Sequence, residues 1–145
     1  MIRRSVQLVT GGAGFIGSHL VDALVERGHE VRVLDNFSSG REEFLSHHSD
    51  SGSVEVVRAD LLDSEAVSAS MDGVETVHHM AANPDIRLGT EVTDTDLKQG
   101  TVATYNVLEA MRVNGVGKIS FASSSAVYGE AGIMPTPENY GPMIP

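Results

Sequence analysis

The run Thr10-Gly11-Gly12-Ala13-Gly14-Phe15-Ile16-Gly17 constrains this chain most, because it separates an apolar segment, Val6 to Thr10, from an amphipathic one, Phe15 to Arg27. A short apolar run, a glycine turn and a helical period read in that order as strand, tight turn and helix. Glycines spaced G-x-x-G-x-x-G suit the close approach of a diphosphate to a helix N-terminus, where unpaired N–H groups and the helix dipole attract anions. In that reading Gly11 permits the turn, Gly14 omits a Cβ that would block the phosphates, and Gly17 lets the helix pack closely on the strand. Phe15 and Ile16 complete the candidate cradle. A second strand, Glu30 to Leu34, leads to Asp35, whose carboxylate can accept hydrogen bonds from an adenosine ribose. The competing reading is a glycine-rich strand-to-helix turn that binds nothing.

The rest of the chain continues the alternation. The first helix carries Ile16, Leu20, Ala23 and Leu24 at helical spacing, and Gly28 stands where a left-handed cap ends it. Asn36-Phe37-Ser38-Ser39-Gly40 is turn-rich and sits where the adenosine is expected, which makes Asn36, Ser39 and Gly40 candidate contacts. Arg41 to Ser46 is expected as a short helix, and the segment from His47-His48 to Gly52 as an exposed loop; no metal site is expected at the paired histidines, since no cysteine or second spaced ligand group accompanies them. Val54 to Val57 reads as the third strand, followed by Asp60-Leu61 and a helix from Glu65 to Met71 capped by Ser64. Val74 to Met80 is the fourth strand, with His78 and His79 on opposite faces, and the small Ala81 and Ala82 leave room at its end. A helical pattern spans about Thr93 to Val113 with Leu97, Gly100 or Thr101, Thr104, Leu108 and Met111 on one stripe, and Asn114-Gly115 ends it. Lys118 to Ala122 is the fifth strand, with Ser123-Ser124-Ser125 at its carboxyl end. Tyr128 to Pro145 holds three glycines and four prolines and reads as irregular loop.

Strands alternating with helices through right-handed crossovers give a doubly wound parallel sheet of expected order 3-2-1-4-5. Ligands of such sheets bind beyond the carboxyl ends of the strands, at the switch between strands 1 and 4. The glycine turn, Asp35, Asp60, Ala81-Ala82 and the serine triplet all fall on that rim.

T-G-G-A-G-F-I-G at 10 to 17 and L-D-N-F-S-S-G at 34 to 40 resemble the extended short-chain dehydrogenase/reductases, in particular the NAD-dependent epimerase/dehydratase group that includes the UDP-glucose 4-epimerases. The resemblance covers the whole chain and implies a Rossmann-type domain over residues 1–145, NAD as cofactor and a nucleotide sugar, a UDP-sugar by preference, as substrate. By the same resemblance Asp60 and Leu61 contact the adenine, His79-Met80-Ala81-Ala82 lies under the nicotinamide side, and Ser123-Ser124-Ser125-Ala126-Val127-Tyr128-Gly129 is the active-site strand end. Ser123 then borders the cofactor, and Ser124 is the catalytic hydroxyl that bonds the sugar oxygen undergoing oxidation; a serine that merely closes a turn is the alternative. Dehydratases of the group carry an Asp-Glu pair where this chain has Ser125 and Ala126, neither able to act as acid or base near neutral pH, which favours epimerisation. Asp35 repels a 2′-phosphate and no arginine stands beside it, so NAD is expected rather than NADP.

Two departures qualify that picture. The family's N-V-x-G-T pattern places Gly100 where the asparagine belongs and Ala103 where the glycine belongs, so a supporting hydrogen bond is absent and a mid-helix glycine costs about 1 kcal/mol. The family's Y-x-x-x-K pair has no counterpart: Tyr105, Tyr128 and Tyr140 are followed four places on by Glu109, Gly132 and Ile144. The prolines at 135, 137, 142 and 145 suggest a chain that stops short of that motif, binds NAD and does not turn over. A redox-sensing or assembly module without catalysis, and a sugar-nucleotide dehydrogenase or reductase, stay open beside the epimerase reading. Asn83 and Arg87 either reach a substrate or order their loop.

Bulk composition narrows the partners. A chain of 145 residues can bury about 68–70% of its unfolded surface. It has no cysteine, which excludes disulfides and thiolate metal sites and suits a reducing cytoplasm. Twenty acidic against ten basic residues, a net charge of −10, oppose nucleic acid and anionic membrane as partners. The balance fits either a solvated acidic surface or a salt-rich habitat. The basic start, Met1-Ile2-Arg3-Arg4, precedes an apolar run too short for a signal or anchor. An apolar neighbourhood of Val102, Tyr105 and Leu108 with part of the fifth strand is expected to favour self-association as a homodimer.

Overall fold

A computed structural model describes residues 5–85 and 87–141. The readings made at Met1-Ile2-Arg3-Arg4, Pro142, Ile144 and Pro145 lie outside the described residues. Five parallel strands, β1 (Val6–Thr10), β2 (Glu30–Asp35), β3 (Val54–Arg58), β4 (Val74–His79) and β5 (Lys118–Phe121), form one sheet in the order β3-β2-β1-β4-β5. This is the expected order, and its switch point lies between β1 and β4. The central strands Val6–Thr10 and Glu30–Asp35 bury Leu8, Val9, Val31, Val33 and Leu34 and are covered on both faces, as parallel sheets require.

The helices divide between the two faces. On one side α1 (Phe15–Glu26) packs Val21 and Leu24 with Val9, Val31 and Val33. On the other, α2 (Ser64–Ala69) and α4 (Ala103–Asn114) bury Val67, Ala103, Val107, Ala110 and Met111 against Leu8, Leu34 and Val77. A short α3 (Leu88–Glu91) and a π-helical stretch, Leu97–Val102, lead into α4. Gly115 closes α4 at φ 70°, the left-handed cap that Asn114-Gly115 foretold.

The structure shifts several boundaries and faces. The buried face of α1 is Gly17, Ser18, Val21 and Leu24, while Ile16, placed on the expected stripe, is 70% exposed. The helix rotates so that its small residues, rather than its large ones, meet the glycine turn. The cap of α2 is Asp63, whose Oδ1 accepts the Ala66 N–H at 3.1 Å; Ser64 is the first helical residue. The long helical run begins at Thr95, close to the expected Thr93, and its buried stripe is Ala103, Val107, Ala110 and Met111; Leu97 and Leu108 point outward. The π-helical stretch changes the period ahead of α4, so a constant 3.6-residue spacing carried through it misassigns the face. Arg41 to Ser46 is not one helix: two 3₁₀ turns, Glu42–Phe44 and Ser46–His48, occupy the region. From Ala122 to Gly141 the chain is irregular apart from a 3₁₀ turn at Ser125–Tyr128.

Candidate dinucleotide cleft

The β1-to-α1 turn is built on backbone contacts too close for side chains. Gly11 has φ +66°, and a Cβ there would lie 2.8 Å from the Cα and N of Ala81. A Cβ on Gly17 would stand 2.1 Å from the Gly11 carbonyl oxygen, so the helix packs on the turn itself as well as on the sheet. Gly12, given no role in the sequence reading, proves as constrained: its Cβ would meet both methyl groups of Val33 at 2.8 and 2.9 Å. Gly14 differs, since a Cβ there meets only the Gly11 oxygen at 3.2 Å and otherwise faces the cleft.

Gly14 is also the N-cap of α1, and no side chain caps it. The first N–H groups of a helix have no intrahelical partner, and α1 has no acidic residue in its first turn to neutralise them. Its N-terminus therefore opens into the cleft with its partial positive charge uncompensated.

That cleft, about 630 Å³ in volume, runs along the carboxyl ends of the strands. Gly11, Gly14, Phe15, Ile16 and Gly17 line its floor; Asp35, Asn36, Ser39 and Gly40 line one end, and Met80, Ala81 and Ala82 the other, and Leu61, which follows β3, lines the cleft as well. Arg41, Phe44 and Gln99, not singled out from sequence, line it too. Arg41 and Phe44 belong to a turn region whose composition carried no cleft signal, and Gln99 arrives through the π-helical stretch.

Asp35 organises one end. Its Oδ2 accepts the Ala13 N–H at 2.9 Å and its Oδ1 accepts the Phe37 N–H at 2.8 Å, so one carboxylate joins the glycine turn to the segment beyond β2. A carboxylate offers about four lone-pair sites, which leaves capacity for further donors from the cleft. Phe37 sits at φ 57°, a conformation uncommon for a non-glycine residue, and the Arg58 guanidinium lies 4.1 Å over its ring. Gly40 is needed here because a Cβ would meet the Ala13 methyl at 2.8 Å and Asp35 Oδ1 at 3.0 Å. Asp60 does not line the cleft; its Oδ2 accepts Asn36 Nδ2 at 2.9 Å and its Oδ1 the Leu62 N–H at 2.9 Å, which places it behind Asn36. From α4, Asn106 donates to the Leu61 carbonyl at 2.8 Å.

His79 organises the other end. It is fully buried, with Nδ1 2.6 Å from Thr10 Oγ1 and Nε2 3.1 Å from Thr104 Oγ1. Thr10 Oγ1 also accepts the Ala81 N–H at 3.3 Å. The imidazole thus ties α4, the end of β1 and the Ala81 backbone together, and burial pushes it below the ordinary histidine range. His78 lies on the opposite face and pairs with Gln7 Oε1 at 3.1 Å.

Ser123 and Ser124 stand apart from the cleft lining. They follow Ala122, whose N–H bonds the His79 carbonyl at 3.1 Å, so they lie on the same rim as Met80 to Ala82. Ser124 Oγ accepts the Ala126 N–H at 3.2 Å and caps the last 3₁₀ turn. The Asn83 side chain donates to the Asp85 carbonyl at 2.9 Å and to Asp96 Oδ1 at 3.2 Å, which orders its own loop.

Strand order, switch-point cleft and glycine turn together define a Rossmann-type, doubly wound α/β protein. Residues 7–144 match the NAD dependent epimerase/dehydratase family, and the chain belongs to that family. It is 39% identical over 134 residues to a UDP-glucose 4-epimerase of Mycolicibacterium smegmatis, covering 91% of this chain and 43% of that protein. It is 36% identical over 123 residues to a UDP-N-acetyl-alpha-D-glucosaminuronate decarboxylase of Bacillus cytotoxicus, covering 85% of this chain and 37% of that one. The solved UDP-glucose 4-epimerase of Thermus thermophilus in complex with NAD superposes with a TM-score of 0.81 at 39% identity, covering 94% of this chain and 44% of that one. The chain therefore spans less than half the length of these relatives. No helix among the described residues is long and apolar enough to cross a membrane.

Proposed function

We propose that this chain is the NAD-binding part of a nucleotide-sugar epimerase of the UDP-glucose 4-epimerase type. The observation that carries the reading is the uncapped N-terminus of α1 opening into a cleft that has the Asp35 carboxylate at one end and Met80 to Ala82 at the other. The residues fit the cofactor: amides of Phe15, Ile16 and Gly17 suit the diphosphate, Asp35 suits the ribose hydroxyls and rejects a 2′-phosphate, and Asn36, Ser39, Gly40 and Leu61 border the adenosine. Asp60 supports that end through Asn36. When bound, NAD supplies the acceptor for a sugar hydride and returns it to the opposite face.

Ser124 is proposed as the hydroxyl that bonds the reacting sugar oxygen, with Ser123 beside the cofactor. Because Ser124 Oγ acts as an acceptor toward Ala126, its own proton is free to be donated. A serine hydroxyl is no base near neutral pH, and the 145 residues contain no Tyr-x-x-x-Lys pair, so the chain by itself binds NAD without turnover. Calorimetry of the purified chain tests this: one NAD per chain is expected, with NADP at least tenfold weaker. A lack of saturable NAD binding refutes the reading, and a steady epimerase rate abolished by Ser124→Ala refutes the inactivity.

A second reading, a sugar-nucleotide decarboxylase, is favoured by the similarity to the Bacillus cytotoxicus protein. Preference of the NAD-loaded chain for UDP-N-acetylglucosaminuronate over UDP-glucose would support it. Assembly belongs to the proposal as well. Tyr105 is 62% and Phe121 55% exposed, and with Val102, Leu108 and Ile119 they give α4 and β5 an apolar outer surface suited to a second copy of the chain.

A further inference from the structure

The paired histidines expected in a solvated loop are instead drawn onto α1. Side chains at successive positions of a turn ordinarily diverge, yet His47 Nε2 lies 2.8 Å and His48 Nε2 2.7 Å from the same oxygen, Asp22 Oδ1. Their ring centroids are 4.1 Å apart, and the His48 side chain is only 10% exposed. One turn earlier on α1, His19 Nδ1 stands 3.9 Å from the other oxygen, Asp22 Oδ2. Burial pushes the Asp22 carboxyl up, but hydrogen bonds from His48 and His47 outweigh that and hold it below its usual range, so it is a carboxylate at neutral pH. A single donor would satisfy Oδ1 as an ion pair; two imidazoles converging on it, with a third close by, make a different donor set.

We propose that Asp22, His47 and His48 form a binding site for one divalent transition-metal ion of the zinc class, outside the dinucleotide cleft. Two imidazole nitrogens and one carboxylate suit a borderline ion; a calcium or magnesium site would be built from oxygens, and a soft-metal site from sulfur. The three ligand atoms already lie within 4.8 Å of one another. Zinc bonds of about 2.0–2.2 Å set tetrahedral ligand atoms roughly 3.4 Å apart, so each imidazole retreats from Asp22 by about 0.6 Å and the two Nε2 atoms settle to the same spacing from within 4.8 Å. Each histidine then ligates through Nε2 with its proton on Nδ1. The fourth position would be left to a water molecule. Such an ion would staple the turn Ser46–His48 to α1, next to Arg41 and Phe44 of the cleft wall.

The test uses the tag-free chain, stripped with a chelator and titrated with zinc chloride alone by calorimetry. One equivalent is expected to bind, with ring resonances of His47 and His48, but not of His29, shifting at stoichiometric zinc. His47→Gln and His48→Gln should each weaken binding at least tenfold while melting, without metal, close to the parent chain; His29→Gln should bind as the parent does. No saturable binding, or shifts that bypass His47 and His48, would overturn the proposal, and the ring resonances decide it even if a variant fails to fold.

Discussion

Replacing Gly17 and, separately, Gly14 by alanine separates the two tasks that the glycine turn performs. At Gly17 the added Cβ lies 2.1 Å from the Gly11 oxygen, 2.8 Å from the Gly12 Cα and 2.9 Å from the Gly11 carbonyl carbon. All three are backbone atoms, so no rotamer change relieves the overlap, and α1 must back away by more than about 1 Å to restore ordinary contact. Overpacking of this kind costs about 1–3 kcal/mol or more. Alanine regains about 1 kcal/mol of helix propensity. With backbone on every obstructed side the upper end applies, and Gly17→Ala is expected to lose about 2 kcal/mol net, a fall in Tm of roughly 4–8 °C. At Gly14 the backbone, φ −79° and ψ 174°, is ordinary for alanine and the closest atom is 3.2 Å away. Gly14→Ala should stay within about 1 kcal/mol of the parent yet place a methyl group in the anion cradle, weakening NAD at least tenfold, about 1.4 kcal/mol. Thermal melts and NAD titrations of both variants are the assay. A Gly17→Ala chain that melts like the parent, or a Gly14→Ala chain that binds NAD like the parent, would refute the reasoning.

Asp35→Asn leaves one oxygen to serve the amides of Ala13 and Phe37, so it is expected to cost about 1–2 kcal/mol in urea unfolding and to reduce the preference for NAD over NADP. Burial holds His79 below 6.5, and burial together with nearby His29 does the same for His78. The native state therefore binds fewer protons than the unfolded chain below about pH 6.5: stability is full above that value and falls as the pH drops, by up to about 1.4 kcal/mol per pH unit for each histidine. His79→Phe should flatten that slope and, by stranding Thr10 and Thr104, lower stability at pH 7.5; an unchanged slope would contradict the assignment. Light scattering should show mass rising with concentration, and Leu108→Asp should return the chain to monomer; a parent chain that stays monomeric throughout would remove the association surface.

Much of the architecture was legible because a parallel sheet leaves strong local marks. Val6–Thr10 is a largely apolar run, Glu30–Asp35 and Val74–His79 intersperse valines with polar residues, and Gly28 and Asn114-Gly115 punctuate the helices, so strand order followed from the alternation of elements and crossover handedness. Helix faces were harder. A stripe counted at 3.6 residues fails where Ile16 turns to the cleft and where the π-helical stretch resets the phase before α4. The cradle was visible in its glycines, but the need for Gly12 depends on Val33 of the neighbouring strand, which spacing does not reveal. The same holds for His47 and His48: their partner Asp22 is far off in sequence and only the packing of the Ser46–His48 turn on α1 brings them together.

The most direct measurement of the central claim is a map of backbone amide shifts during titration of the chain with NAD. The amides of Phe15, Ile16 and Gly17 at the start of α1, and those of Ala13 and Phe37 that bond Asp35, are expected to shift together and saturate at one equivalent, while β5 stays still. Shifts that leave the α1 N-terminus unmoved, or that centre elsewhere on the sheet, would contradict it.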